Sequence, residues 1–248
     1  MTKADEYRRH LQTLPDWDAY LLQESGLPGP RGNLELAQAV ADEGDLARFQ
    51  RYLAYSADVA PTNSPYEFLA FCAAVGLGRL LAEGRLEFLP ILRTCASDPR
   101  WRLREGVAMA LQRLGDADMD ALLAAMQAWS GGTCLEQRAA AAGLCEPRLL
   151  RRPHHAAAVL QILDRITAGI PAVTDRRSEE FQALRKGLGY CWSVAVAALP
   201  AEGKTLLEKW LHHPDKDIRW IVKENLKKNR LVRMDAGWVQ RLRHEADT

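Results

Sequence analysis

The segment Asp98-Pro-Arg-Trp-Arg-Leu-Arg-Glu-Gly-Val-Ala-Met-Ala-Leu111 packs an aromatic side chain, three guanidiniums and two carboxylates into its first eight residues. A related segment, "PDKDIRWIVKENL", runs from Pro214 to Leu226. Trp101 and Glu105 stand four residues apart, as do Trp220 and Glu224, so in a helix each pair shares one face. Trp101 and Trp220 flank arginines and fall outside the apolar register, which marks them as exposed binding anchors rather than core. Trp192 falls on that register and is expected in the core. Four arginines, Arg104, Arg138, Arg185 and Arg219, recur at matching places. Such a ladder has two uses: satisfying buried turn groups, with Asp98 or Asp215 as partners, or gripping phosphate. Arg100, Arg102, Lys216, Lys223, Lys227, Lys228 and Arg230 are freer of the motif. They form either a basic stripe along an inner surface or an ordinary solvated face.

No stretch carries a complete catalytic or nucleotide-binding motif; Walker A, GxGxxG, GxSxG and HExxH are all absent. The histidine pairs His154-His155 and His212-His213 invite a metal. Adjacent helical residues diverge by about 100°, whereas helical metal sites use i,i+4 spacing. Neither a metal nor a cofactor is therefore expected, and His212-His213 suits a helix C-terminus.

These residues must be positioned by helices. Ala and Leu dominate, Val and Ile are scarce, and apolar residues recur every three or four positions with no sustained alternation. Between the periodic runs lie stop and start signals such as Gly84, Ser97-Asp98-Pro99, Gly115-Asp116, Gly131-Gly132, Pro200 and Pro214-Asp215. Asp98 before Pro99 reads as an N-cap with proline at the first helical position.

The aliphatic of the aliphatic-Arg pair sets a register. Leu103 is followed at +4 and +8 by Val107 and Leu111, and Ile218 by Val222 and Leu226. Gln137, Ala141 and Cys145 repeat it, as do Leu184, Leu188 and Trp192, and upstream Leu69, Ala73 and Leu77. The steps are 34, 34, 47 and 34 residues. The long step is expected to contain a loop over Thr167 to Ser178. Such a period with two helices per unit predicts an all-α fold of stacked helix pairs. Five pairs are expected, near 45–83, 85–114, 117–151, 153–198 and 203–229. Capping helices are expected over 1–44 and 230–248, all in one domain of 248 residues.

The formal net charge is +1, which gives no bulk argument for a polyanionic partner. Acids outnumber bases 10 to 6 from Met1 to Ala60, and bases outnumber acids 11 to 7 from Lys204 to Thr248. The five cysteines form no CxxC and sit largely in Ala/Leu runs, as reduced core thiols would. The N-terminus lacks a secretory apolar core, and no apolar run long enough to span a membrane is evident. The expected location is the cytoplasm.

The TPR signature residues are missing. Asp, the aliphatic-Arg pair and small residues on the second helix resemble HEAT repeats, over most of the chain after residue 45. That resemblance implies a right-handed α-α superhelix. "DPRWRLREGVAMAL" and "DIRWIVKENLKKNRL" further resemble segments of bacterial HEAT-like proteins related to the AlkD-type alkylpurine DNA glycosylases. In that family a basic concave face holds DNA, and Trp and a carboxylate act at the modified nucleotide. The resemblance implies Trp101 and Glu105 as the catalytic aromatic and acid, Glu standing where that family has Asp. It implies a DNA-binding set of Arg100, Arg102, Arg104, Arg138, Arg185, Arg219, Trp220, Lys223 and Lys227. Two functions follow as expectations. One is a non-catalytic HEAT-like module whose concave Trp/Arg surface binds a protein or double-stranded DNA; the other is a glycosylase or sensor acting on alkylated bases.

Overall fold

The computed structural model describes residues 2–247. Among these residues the chain is entirely helical, with no strand. Fifteen α-helices follow in order: α1 Lys3–Thr13, α2 Asp18–Glu24, α3 Leu34–Glu43, α4 Leu46–Leu53, α5 Pro65–Ala82, α6 Leu89–Ala96, α7 Trp101–Ala117, α8 Met119–Trp129, α9 Cys134–Leu144, α10 Pro153–Gly169, α11 Glu179–Ala198, α12 Pro200–Lys209, α13 Lys216–Leu226, α14 Asn229–Met234 and α15 Ala236–Asp247. Contacts divide the chain after Asp118 into two compact units, 1–118 and 119–248, a boundary the sequence does not announce.

Local chemistry starts the helices where they are. Thr2 and Asp5 form a reciprocal capping box on α1, and Thr133 and Glu136 do the same on α9. Asn33, Asp45, Ser64, Ser178 and Asp215 cap α3, α4, α5, α11 and α13 through their side-chain oxygens. After α5, Gly84 takes φ 87°, the left-handed turn at which glycine carries no Cβ penalty. The Arg85 amide there reaches back to the Leu80 carbonyl at 3.0 Å. The segment 167–178 is only partly a loop. α10 continues to Gly169, and a 3-10 turn follows over Ile170–Ala172.

In the first unit α5 is the central helix, packed by α3, α4 and α7. Its small residues let these neighbours approach closely. A Cβ on Gly76 would lie 2.4 Å from the Phe49 ring, and one on Gly78 would lie 2.5 Å from Ala110 Cα. By length and hydropathy α5 could cross a membrane, which no inspection of apolar runs suggested. Most of its side chains are buried inside the unit, as in the core helix of a globular unit.

In the second unit α11 has the corresponding place, packed by α9, α10 and α13. Trp192 is fully buried there, and its indole N–H donates to Thr167 Oγ1 at 3.0 Å. Asn225, also fully buried, accepts from the Ser193 amide and donates to the carbonyls of Leu188 and Ile221 at 2.8 Å each. Those bonds tie α13 to α11 through satisfied polar groups.

The five register triplets fall on α5, α7, α9, α11 and α13. Every register side chain is buried except Gln137, which is half-buried. Within the units these helices are direct neighbours: α5 packs on α7, and α11 on both α9 and α13.

Candidate functional site

In the first unit the helix bearing Trp101 begins two residues later than an Asp98 cap would place it. The N-cap of α7 is Arg100, not Asp98. Asp98 instead accepts from the Arg100 amide at 2.8 Å, and its carboxylate takes Arg100 Nε and Nη2 at 2.8 Å each. Arg100 is only 2% exposed and also donates to the Tyr55 and Ala60 carbonyls. Arg104 is buried too. Its Nη1 donates to the Asp98 and Pro99 carbonyls at 2.7 and 2.8 Å. Asp98 therefore pairs with Arg100, while the ladder arginine satisfies the turn's carbonyls.

Arg219 repeats this geometry in the second unit, donating Nη1 to the His213 and Pro214 carbonyls at 2.9 and 2.8 Å. The two arginines thus reach the carbonyls six and five residues before themselves. This turn-tying role accounts for the aliphatic-Arg pair at two of the four places, Arg104 and Arg219. It rests on backbone carbonyls, so the identity of the preceding acid matters little to it.

Arg102 corrects the expectation of a free cation. It is buried, with Nη1 3.1 Å from Glu67 Oε2 and Nη2 donating to the Gly29 carbonyl at 2.6 Å and to Asn63 Oδ1 at 3.2 Å. Glu67 is completely buried in α5 and also accepts from the Asn63 amide at 2.7 Å. Glu67 Oε1 and Arg102 Nε have no hydrogen-bond partner. The signal for this pair lay in "SPYEFLAFCAAVGLG": a carboxylate inside an otherwise apolar helix needs a cation. Trp101 remains 43% exposed, with the Arg102 guanidinium 4.4 Å from its ring centroid. Glu105 is half-buried one turn along. Trp101 is thus an exposed aromatic, but Arg100, Arg102 and Arg104 beside it are buried and offer phosphate nothing.

The second unit keeps more of its cations outside. Arg138 is half-buried in α9, with its stem against Gly187. Arg185 lies over the Trp220 ring at 3.8 Å, and its Nε is 2.8 Å from Asp217 Oδ1, an ion-pair distance without hydrogen-bond alignment. Arg176 bridges Asp215 and Asp217 at 2.8 and 3.0 Å. Burial pushes the Asp215 carboxyl up, but Arg176 and the Asp217 and Ile218 amides outweigh it and leave the group below its ordinary range. Trp220 is half-buried against Gly189, so it is packing surface more than a free anchor.

Lys223 is half-buried, whereas Lys227 is exposed. Lys227 lines an open depression of about 730 Å³ together with Pro147, Tyr190, Lys228, Asn229, Arg230 and Arg233. Tyr190 is 46% exposed. Arg230 lies 4.7 Å from its ring centroid and donates to its hydroxyl. Glu224 takes Lys227 and Lys228 at 2.9 and 2.8 Å, which lowers its own pKa, Lys228 contributing most. Four cations around one exposed ring, with one acid among them, leave a net positive surface that can accept an anion and stack a planar group. Sequence reasoning singled out Lys227, Lys228 and Arg230, noted Tyr190 among the aromatics without giving it a role, and missed Arg233. Tyr190 and Arg230 lie forty residues apart, and no local spacing links them.

No protein-family model matches this chain, and no curated protein matches it either.

Proposed function

We propose that the chain is a non-catalytic binding module of HEAT-like helix pairs, stacked as a right-handed α-α superhelix, and that its partner is a nucleic acid. The observation that carries this reading is the depression around Tyr190, where Lys227, Lys228, Arg230 and Arg233 surround an exposed aromatic ring. The recurring register and the matched turn bonds of Arg104 and Arg219 support the repeat. Cations that follow a phosphate backbone, with a ring on which a base stacks, bind without reading sequence.

Four cations against Glu224 amount to two or three phosphates neutralised. Log affinity against log salt should therefore fall with a slope of about −2 to −3. The test is a titration of labelled duplex and single-stranded DNA at several salt concentrations. The expected result is that slope, reduced by about one in Arg233→Ala. Absence of binding at low salt, or binding indifferent to salt, would refute the proposal. Release of a modified base from alkylated DNA, abolished by Glu105→Gln, would instead establish the glycosylase reading.

A different observation, on the first unit, favours a protein partner. Trp101, Tyr66 and Val59 are exposed at 43%, 45% and 65%, and Tyr66 stacks on Tyr55 at 5.7 Å between centroids. Exposed Trp and Tyr side chains are the residue types that anchor protein interfaces. Retention of a stoichiometric protein partner by the wild type and its loss in Trp101→Ala would support it; identical capture by both would refute it.

A further inference from the structure

The histidine pair that adjacent spacing seemed to rule out as a ligand set is brought together with a carboxylate in the second unit. His154 and His155 occupy the first turn of α10, after Pro153, and Asp120 opens α8. The two imidazoles meet edge-on with centroids 4.1 Å apart. One donor atom from each of Asp120, His154 and His155 lies within 4.8 Å of the other two. His155 Nε2 and Asp120 Oδ1 are 3.2 Å apart.

The 100° divergence of adjacent positions governs where Cβ atoms point. It does not fix where two imidazoles end when the third ligand stands off the end of their helix. Zinc bonds of about 2.0–2.2 Å in a tetrahedron place donors about 3.3 Å apart. The His155–Asp120 separation already has that value. Closing the remaining separations requires movement of His154 and Asp120, and both are exposed, whereas His155 is buried and fixed. The positive end of the α10 dipole opposes a cation, and the Asp120 carboxylate offsets it.

We propose that Asp120, His154 and His155 bind one divalent ion of the zinc type. Two imidazoles and a single carboxylate suit Zn²⁺ or Co²⁺ and not Mg²⁺ or Ca²⁺, which take oxygen ligands. Three protein donors leave a fourth position for water. The ion joins the start of α8 to the start of α10, so it stabilises the second unit.

The experiment is titration of the whole protein with Zn²⁺, followed by calorimetry and thermal melting, with Co²⁺ as a spectroscopic probe. The expected result is one equivalent bound and a Tm that rises with Zn²⁺ concentration. Co²⁺ should give weak visible bands without the intense near-ultraviolet absorption of a thiolate ligand. His154→Ala and Asp120→Ala, both at exposed positions, should keep the helical circular dichroism and weaken binding by at least about tenfold. No saturation by about 100 µM Zn²⁺ would overturn the proposal. So would affinity unchanged in His154→Ala, or a thiolate signature, since either would place the ion elsewhere.

Discussion

Replacing Arg102 by Met should destabilise the protein more than any single surface change, because it strands a carboxylate in the core of the first unit. Glu67 is 0% and Arg102 7% exposed at the side chain. With Arg102 gone, Glu67 retains the Asn63 amide at 2.7 Å and loses the cation paired with it. Gly29 and Asn63 lose a shared donor at the same time. Breaking a buried pair on one side costs about 3–5 kcal/mol. That is a fifth or more of the about 5–15 kcal/mol that holds a typical domain together. The exposed pair Arg85–Glu87, 43% and 59% exposed at 3.1 Å, sets the scale for contrast, and Arg85→Ala should cost at most about 1 kcal/mol. The assay is urea unfolding of wild type, Arg102→Met, Glu67→Gln and the double variant. The double variant should be more stable than the sum of the two single losses predicts, by about 1–3 kcal/mol, because it removes both members of the pair. Additive losses, or an Arg102→Met cost below about 1 kcal/mol, would refute the assignment of a buried, mutually dependent pair.

Arg104→Ala should cost about 2–3 kcal/mol in the same assay, and the solvent-exposed Arg219→Ala clearly less, although both lose the same two carbonyl partners. Gly78→Ala should destabilise by about 1–3 kcal/mol, since its Cβ would meet Ala110 backbone at 2.5 Å; Gly169→Ala, with nothing within 4 Å, should be neutral or raise stability by up to about 1 kcal/mol. Asp215 has a depressed folded-state pKa, so its stabilising contribution is complete above its unfolded value of about 4 and disappears as pH falls through the folded value. The stability gap between wild type and Asp215→Asn should accordingly shrink on acidification below about pH 4, and a gap that stays constant or widens would contradict this. Burial, with Asp98 adding to it, pushes the Cys95 thiol up to about 11, so about one molecule in a thousand is thiolate at pH 8. Cys95 should react with a disulfide reagent at the rate of a free thiol only after denaturant is added; mass mapping of the labelled peptide checks it.

The helix pattern was legible because periodicity and caps are local. The start signal at Pro214-Asp215 marks the N-cap of α13, whereas Asp98, read as the cap of α7, stands two residues before the true cap, Arg100. Burial of the apolar register was legible for the same reason, down to Trp192 in the core. The direction in which a guanidinium points was not. Arg100, Arg102 and Lys227 look alike in sequence, yet two are buried on internal acceptors and one is exposed. What decides between them includes partners far along the chain: Tyr55 and Ala60 for Arg100, beside its local partner Asp98, and Glu67 and Gly29 for Arg102. Periodicity carries no information about such pairs. Asp120 was invisible beside His154 and His155 for the same reason, and so was Tyr190 beside Arg230.

The position just before the register aliphatic is Arg102 in α7 and Asp217 in α13. In the first unit the cation sits there and the acid, Glu67, comes from the neighbouring α5; in the second the acid sits there and the cation, Arg185, comes from α11. Two helix pairs of one repeat pattern therefore carry opposite polarity at their seam. If α7 were to dock on α11 during folding, Arg102 would face Arg185; if α13 docked on α5, Asp217 would approach Glu67. Each exchange brings like charges together at a buried seam, a penalty of the kind that separates competing partners. Helices that share one apolar register are open to such a confusion of neighbours, and the reversed pair works as a key that lets each helix recognise its own.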